Sequence, residues 1–175
     1  SKIEKVNWDT IDVLFSALPN GEAQKIIKVI PEHTKLIDLS ADFRINDFKL
    51  YKKWYGINHK CKKFISRSIY AITEFSKSNL DKYKIISCPG CYPTSVQIPL
   101  IPLLKRKLIN TQNIIIDSKS GYSGAGRKIE QKFKFKNLFN SVSAYGVGFH
   151  RHMVEIDQEL SKIANNKITV SFTPH

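Results

Sequence analysis

The stretch SCPGCYPTS, residues 87–95, stands where an apolar run of sequence gives way to a helix-forming one. Pro89-Gly90 predicts a turn between a strand and a helix, and it places Cys91 at the entrance of that helix. The N–H groups and the positive dipole end of a helix N-terminus favour thiolate over thiol, and they can bind an oxyanion that forms beside the sulfur. The stretch therefore indicates a strand–turn–helix unit that presents a nucleophilic cysteine.

Strands and helices are expected to alternate on both sides of this unit. Asn20 should cap the first helix and Pro31 should end it, whereas residues 70–75 fit either a strand or a helix. Because the strand cores are almost entirely apolar, they should be covered on both faces, and we predict an α/β fold with a largely parallel sheet. The predicted strands are 12–18, 35–39, 84–87, 113–117 and 167–172, and the predicted helices are 21–30, 91–108 and 151–164.

The three cysteines have competing interpretations. A small buried side chain is one interpretation of Cys91, but its position after Pro89-Gly90 favours a nucleophile. Cys88 and Cys91 have the spacing of a redox pair, yet a thioredoxin-like motif places both cysteines at the helix start, and here the turn separates them. Cys88 is expected to be buried at the strand end, and Cys61 has no functional cue. Since no second CxxC pair exists, a zinc site is not predicted.

The segment SGYSGAGRK, residues 120–128, is the second candidate for chemistry. Small residues followed by Arg127 and Lys128 can surround an anion with backbone N–H groups and positive charge. A flexible loop or a tight turn would explain the same composition. Both interpretations of this segment therefore stay open.

The segment YGVGFHRHMVEI, residues 145–156, places two histidines at the mouth of a helix. A thiol nucleophile needs a nearby imidazole that exchanges protons near neutral pH, and either ring is a candidate. Alternating residues do not share one helix face, so His150 and His152 should have different tasks. Taken alone, the HRH pattern is also typical of a polar surface, and further zinc ligands are not found nearby.

The composition is that of a folded protein with excess positive charge. The 175 residues include 28 Lys and Arg against 15 Asp and Glu, a formal net charge of +13. The lysines are scattered, and no zinc-finger or aromatic RNA-binding motif is present, so a nucleic-acid-binding module is a lesser alternative. The longest apolar stretch, 96–104, is too short to span a bilayer, and no membrane partner is expected. The charge favours an anionic small-molecule substrate, and the sparse cysteines indicate a reducing, cytoplasmic setting.

Besides the three segments above, the sequence contains further motifs in one order, which are SALPNG (16–21), DLSADFR (38–44), Tyr55-Gly56 with His59, and the closing FTP (172–174). With them, nearly the whole chain resembles the N-acetyl-gamma-glutamyl-phosphate reductases, which are related to aspartate-semialdehyde dehydrogenase. The resemblance implies an NADPH-dependent enzyme of arginine biosynthesis.

The resemblance also implies a division into domains. Residues 1–90 would be the second part of a Rossmann NADP-binding domain, and residues 91–175 would open an α/β catalytic and dimerisation domain. We expect the chain to be a fragment of a homo-oligomeric protein. The glycine-rich turn that begins a dinucleotide fold is not in the sequence, and the chain stops directly after a predicted strand.

The resemblance assigns roles residue by residue. Cys91 matches the family's nucleophile, and His150 matches its general acid/base. N-acetyl-gamma-glutamyl phosphate would form a thioester on Cys91, which hydride from NADPH would reduce to the semialdehyde. The implied substrate-binding residues are His152, Glu155, Arg151 and Arg127. The implied cofactor-binding residues are Ser16, Leu18, Pro19, Ser120, Gly121 and Ser123, and no metal ligand is implied.

Two positions depart from the family pattern, and three rival functions stay open. Val154 stands where the family usually has proline, and Cys88 stands where another small or polar residue is common.

A sister reductase that acts on aminoadipate bound to a carrier protein would share every motif. A Cys-His hydrolase would use the same dyad without a cofactor, and the nucleic-acid-binding module is the non-enzymatic rival.

Overall fold

The computed structural model describes residues 3–125 and 141–175, which divide into one unit that ends at Ser95 and another that begins at Val96. Strands and helices alternate, and the predicted α/β class is confirmed. The strands are β1 Val13–Ser16, β2 Lys35–Asp38, β3 Ser68–Tyr70, β4 Ile85–Ser87, β5 Ile115–Ser118 and β6 Ser171–Pro174. The α-helices are α1 Ala23–Ile26, α2 Phe48–Tyr55, α3 Thr73–Ser76, α4 Cys91–Lys105 and α5 His152–Ala164. Short 3-10 helices cover Ile3–Lys5, Trp8–Thr10, Lys62–Arg67, Lys77–Lys82 and Tyr122–Ala125.

The first unit is built on a four-stranded parallel sheet in the order β1-β2-β4-β3. Leu14, Leu36 and Ile85 are aligned across three neighbouring strands by the register. Leu36 and Ile85 belong to one buried cluster with Ala23 of α1 and with Phe64, and Leu14 packs against that cluster. The predicted parallel sheet is therefore confirmed, and its apolar face is covered by α1 and the 3-10 helix that contains Phe64.

The carboxyl ends of three of these strands form a polar row. Ser16, Asp38 and Ser87 are the last residues of β1, β2 and β4, they are aligned by the register, and all three are buried. Since the strands are parallel, the loops that follow them all leave the sheet at the same edge. One of these loops ends in Cys91.

The first helix is shorter than predicted and is capped differently. It covers only Ala23–Ile26 of the predicted 21–30, and Asn20 bonds to the loop after β2 instead of capping it. The carboxylate of Asp42 takes the capping role, because it accepts the N–H of Gly21 and that of Gln24 in the first helical turn. The expected cap was wrong because the acceptor lies 21 residues beyond Gly21, where local sequence does not reveal it.

The second helix was not predicted, although both of its end signals are in the sequence. Asp47 accepts hydrogen bonds from two N–H groups of the first turn, and Gly56 ends the helix in the left-handed conformation with φ of 74°. The ambiguous residues 70–75 contain the end of a strand at Tyr70 and the start of α3 at Thr73.

In the second unit, β5 pairs with β6 in parallel. β6 begins at Ser171, which is later than the predicted strand 167–172 implies. The N–H groups of Ile168 and Val170 donate instead to side-chain oxygens of α5, each at 2.9 Å. The first part of that apolar run is thus attached to a helix rather than to the sheet.

Helix α4 spans 15 residues and contains Pro99 and Pro102. Each proline removes one helical N–H donor, but the helix continues through both as far as Lys105. The chain leaves the helix after Lys105, and Lys107 adopts the left-handed conformation with φ of 54°. Across residues 3–125 and 141–175, none of the helices combines the length and the apolar character that crossing a bilayer requires.

Replacing Leu36 by alanine tests whether the parallel sheet forms the core of the first unit. Leu36 is completely buried in a central strand, so the change should lower the free energy of unfolding by about 2–5 kcal/mol. Val29→Ala is the control, because Val29 is 59% exposed and its truncation should cost less than about 0.5 kcal/mol. Urea unfolding followed by circular dichroism measures both, and equal losses would contradict the assigned core.

Candidate active site

Cys91 is the first residue of α4, and it is exposed. Thr94 fixes this first turn, because its N–H and its hydroxyl both donate to the carbonyl of Gly90, at 2.9 and 2.8 Å. The predicted position of Cys91 at a helix entrance is therefore confirmed. At this position the sulfur is open to a reactant and lies beside helix N–H groups that can stabilise a thiolate or an oxyanion.

A buried arginine holds the turn that precedes Cys91. Arg44 donates from Nε to the carbonyl of Cys88 at 2.6 Å, and from Nη2 to the carbonyl of Leu39 at 2.7 Å. The N–H of Cys88 donates to the carbonyl of Asp38 at 2.8 Å, so the turn is bonded on two sides to the end of β2 and its loop. The sequence showed Arg44 as part of a motif, but it carried no signal that this side chain reaches the cysteine turn.

The other two cysteines differ from Cys91 in exposure. Cys88 is half-buried rather than buried as predicted, and burial raises the pKa of its thiol while the charge of Arg44 opposes the rise. Cys61, for which no function was predicted, is a buried member of the core, and its Sγ donates to the carbonyl of Gln24 at 2.9 Å. Burial also raises the pKa of Cys61. Both thiols are therefore less available as thiolates than an ordinary surface cysteine.

Asp38 is a buried carboxyl group in the polar row at the strand ends. Its two oxygens accept the N–H and the hydroxyl of Ser40, at 3.0 and 2.8 Å. Burial raises the pKa of Asp38 to about 6, against the opposing effect of the Ser40 hydrogen bonds. The hydroxyl oxygens of Ser16 and Ser87 are buried and have no hydrogen-bond partner among the described residues. The row is therefore a water-excluded support for the loops, and not a surface that meets solvent.

The loop after β1 contains three of the predicted cofactor-binding residues. Ser16 is buried in the polar row, whereas Leu18 and Pro19 are exposed. Nucleotides bind α/β proteins in the crevice outside the carboxyl ends of parallel strands, which is where this loop lies. Contact with the cofactor stays a prediction for all three residues.

A second buried carboxylate, that of Asp42, fixes this loop. The N–H of Gly21 donates to both of its oxygens, at 2.7 and 2.9 Å. Gln24 donates to it from its N–H at 3.3 Å and from its side-chain amide at 3.2 Å, and the hydroxyl of Tyr51 donates at 2.6 Å. Asp42 is completely buried, and these donors replace the water that its charge would otherwise require.

In the second unit, the ring of His150 is held by three other rings. Tyr145, His152 and Phe172 lie with their centroids 5.5, 4.8 and 5.4 Å from it. The N–H of His152 donates to Nδ1 of His150 at 3.2 Å, so a neutral His150 ring carries its proton on Nε2. Burial, together with the charge of Arg151, lowers the pKa of His150 below its ordinary value. The ring is therefore neutral near pH 7 and presents Nε2–H as a donor.

The residues that follow His150 divide between surface and interior. Arg151 is exposed, whereas His152 and Glu155 are buried on α5. Glu155 lies in the first turn of that helix, where the helix dipole stabilises a negative charge. The different surroundings of the two histidines agree with separate tasks. Substrate contact by these residues stays a prediction.

The glycine-serine loop is exposed where the structure describes it. Ser120 donates from its N–H and its hydroxyl to the carbonyl of His175, at 2.8 and 3.2 Å. Gly121 and Ser123 are exposed at the short 3-10 helix Tyr122–Ala125. Arg127 lies outside the described residues. Cys91 and the loop after β1 thus belong to the first unit, and the two histidines and this loop belong to the second.

Comparison with known proteins settles the family. A semialdehyde dehydrogenase NAD binding domain matches residues 1–83, and a semialdehyde dehydrogenase dimerisation domain matches residues 91–175. The chain belongs to the semialdehyde dehydrogenase family. The two matches together cover this semialdehyde dehydrogenase chain except for residues 84–90. The domain division after residue 90 that the sequence suggested stays a prediction.

Relatives within the family carry the name of the reductases that the sequence motifs resemble. A "Probable N-acetyl-gamma-glutamyl-phosphate reductase, chloroplastic" of Arabidopsis thaliana is 45% identical over 99% of this chain and 43% of its own length. The N-acetyl-gamma-glutamyl-phosphate reductase of Ehrlichia canis (strain Jake) is 45% identical over 100% of this chain and 51% of its own length. The resemblance inferred from the motifs is confirmed, and the chain spans about half the length of these relatives.

A solved structure supports the fold. Aspartate semialdehyde dehydrogenase II from Vibrio cholerae, in complex with ASA, superposes with a TM-score of 0.53 at 15% identity. The match covers 99% of this chain and 51% of that protein. At so low an identity the likeness concerns the fold alone, and it agrees with the α/β class derived from the sequence.

Alkylation by iodoacetamide near neutral pH should label Cys91 first. Cys91 is exposed at a helix start, whereas burial raises the pKa of Cys88 and of Cys61. Quenched time points, digested and mapped by mass spectrometry, give the three rates from one sample, so the other two thiols are internal controls. Faster labelling of Cys88 than of Cys91 would contradict this assignment, because it would make Cys88, before the turn, the reactive thiol.

Proposed function

We propose that this chain carries the catalytic residues of an NADPH-dependent N-acetyl-gamma-glutamyl-phosphate reductase of arginine biosynthesis. The observation that carries the proposal is an exposed cysteine, Cys91, at the N-terminus of α4 and at the carboxyl edge of a parallel sheet. Relatives that bear this reductase name support the choice of substrate. The NAD binding domain match supports a nicotinamide cofactor.

The first proposed step is transfer of the acyl group to sulfur. The Cys91 thiolate attacks the acyl carbon, a carbon–sulfur bond forms, and the bond from that carbon to the phosphate oxygen breaks. The N–H groups at the start of α4 stabilise the oxyanion of the tetrahedral intermediate. Phosphate leaves towards positive charge, for which Arg151 and Arg127 are the proposed partners. The product of this step is a thioester on Cys91.

The second proposed step reduces the thioester. NADPH supplies a hydride to the acyl carbon when it is bound. His150 delivers a proton to the oxygen as the thiohemiacetal forms, and it takes that proton back when the carbon–sulfur bond breaks, which releases the semialdehyde and returns the Cys91 thiolate. His152 and Glu155 are proposed to orient the substrate. The proposed cofactor-binding residues are Ser16, Leu18, Pro19, Ser120, Gly121 and Ser123.

The surroundings of the reaction are also proposals. The match to a dimerisation domain over residues 91–175 supports a homo-oligomer. The scattered lysines and the enzyme family favour an anionic small molecule over nucleic acid as the partner. A cytoplasmic location is proposed from the free cysteines, although the plant relatives are named chloroplastic.

Replacing Cys91 by serine should abolish reduction in the complete enzyme. A serine hydroxyl reaches its anion far less easily than a thiol, so less than about a tenth of the activity should remain. Cys88→Ser is the matched control, because it makes the same change three residues earlier and should leave most of the activity. NADPH oxidation with N-acetyl-gamma-glutamyl phosphate measures both, and a parallel assay with carrier-bound aminoadipate phosphate separates the sister reductase. A Cys91→Ser enzyme that retains activity would remove the nucleophile from the proposal.

Replacing His150 by asparagine should lower turnover by about a hundredfold or more, the usual loss of a general acid or base. His152→Asn should act mainly on the KM of the acyl phosphate, because His152 is proposed to orient the substrate. Steady-state kinetics with the acyl phosphate varied at saturating NADPH separate these effects. Equal changes of kcat and KM in both variants would mean that the two histidines do not divide the roles in this way.

A further inference from the structure

We propose that Asp42 is a positioning residue, which holds the loop of residues 16–21 in the conformation that receives the nicotinamide cofactor. The inference rests on the proposed function. Asp42 lies outside the residues assigned above to substrate or cofactor, and it acts on the cofactor only through the loop. Its carboxylate is completely buried, so it is not itself a contact surface for a ligand.

The loop needs an external acceptor at Gly21. This residue has φ of 93°, in the region that L side chains rarely adopt, and its N–H donates to both carboxylate oxygens of Asp42 at 2.7 and 2.9 Å. A Cβ atom at this position would lie 3.2 Å from the side chain of Ile57, so the turn is also closely packed. The carboxylate thus selects one of the several conformations that glycine permits.

Further buried donors hold Asp42 in place. The hydroxyl of Tyr51 donates to Oδ1 of Asp42 at 2.6 Å and accepts from the amide of Gln24 at 3.1 Å. Nδ1 of His59 accepts the N–H of Cys61 at 3.2 Å, so in the neutral ring Nε2 carries the proton and donates it to the carbonyl of Asp42 at 2.8 Å. Both the side chain and the backbone of Asp42 are therefore fixed by buried donors.

These bonds have a consequence for how the cofactor is held. The N–H groups of Gly21, before α1, and of Gln24, in its first turn, already donate to the carboxylate of Asp42, so these two donors are not open to the phosphates of a dinucleotide. The loop instead offers the exposed residues Leu18 and Pro19 and their backbone. Affinity for NADPH at this loop then depends on its shape, which Asp42 sets, and not on a charge that it carries.

The decisive variant is Asp42→Asn in the complete enzyme. An amide has one acceptor oxygen instead of two, and its NH₂ group would face the N–H donors of Gly21 and Gln24. The Kd of NADPH from nucleotide fluorescence and the KM of NADPH should both rise by at least about tenfold, whereas kcat at saturating cofactor should stay within about threefold. A general loss of structure would lower kcat and the thermal midpoint without this selectivity.

Two further variants keep the test decisive. Tyr51→Phe retains the buried ring and removes one donor to Asp42, so it should raise the Kd of NADPH by about threefold even if Asp42→Asn does not fold. Asp47→Asn makes the same acid-to-amide change at the exposed cap of α2, which has no bond to the loop, and should leave the Kd within about twofold.

The outcomes separate this inference from the proposed function. Unchanged NADPH affinity in the Tyr51→Phe and Asp42→Asn variants, or an equal effect of Asp47→Asn, would overturn the positioning role. A wild-type enzyme that binds NADPH but does not reduce the acyl phosphate would overturn the proposed function, while the binding measurements would still decide the role of Asp42. A wild-type enzyme that does not bind NADPH would overturn both.

Discussion

The placement of Cys91 depends on the parallel pairing of β2 with β1 on one side and with β4 on the other. This pairing aligns Ser16, Asp38 and Ser87 at one edge, so the three loops that follow begin side by side. An antiparallel neighbour would send its loop to the opposite edge, and the loop after β2 could not reach both of the others. The strand pairing alone therefore brings the cysteine turn and the proposed cofactor loop to one edge, independently of contacts between their own residues.

The loop after β2 then fixes both neighbours with a pair of opposite buried charges. Asp42 accepts donors from the loop after β1, and Arg44 donates to the carbonyl of Cys88 in the turn before Cys91. Burying an ion costs several kcal/mol unless hydrogen bonds replace its water, and both side chains meet that condition with named partners. Loss of one partner would leave a desolvated charge, so these loops resist small rearrangements. Such resistance suits a site in which a sulfur and an acyl carbon must meet in one geometry.

The sequence predicted what depends on local pattern and on motif order. The parallel sheet, the helix entrance at Cys91 and the family were all derived from it, because apolar strands and a Pro-Gly turn have local signatures. The predicted cap of α1 was wrong because the acceptor, Asp42, lies 21 residues beyond Gly21. The predicted start of the last strand was wrong because Ile168 and Val170 donate to side-chain oxygens of α5, which a run of apolar residues does not reveal. The omission of α2 is of another kind, since Asp47 and Gly56 marked its two ends and were not used.

The chemistry of His150 shows why a motif does not by itself define a role. Its Nδ1 accepts the N–H of His152, and its pKa is lowered by burial and by the charge of Arg151. A neutral ring that donates from Nε2 can stabilise a developing oxyanion, but full release of that proton would leave an imidazolate. Delivery of a proton in the proposed reaction requires the imidazolium, which must place a second proton on Nδ1 and give up the bond from His152. That cation becomes scarcer as the pH rises above the lowered pKa, so the proton-delivery step should slow towards alkaline pH. The start of α5 must also shift slightly when His150 becomes charged, because the N–H of His152 then loses its acceptor.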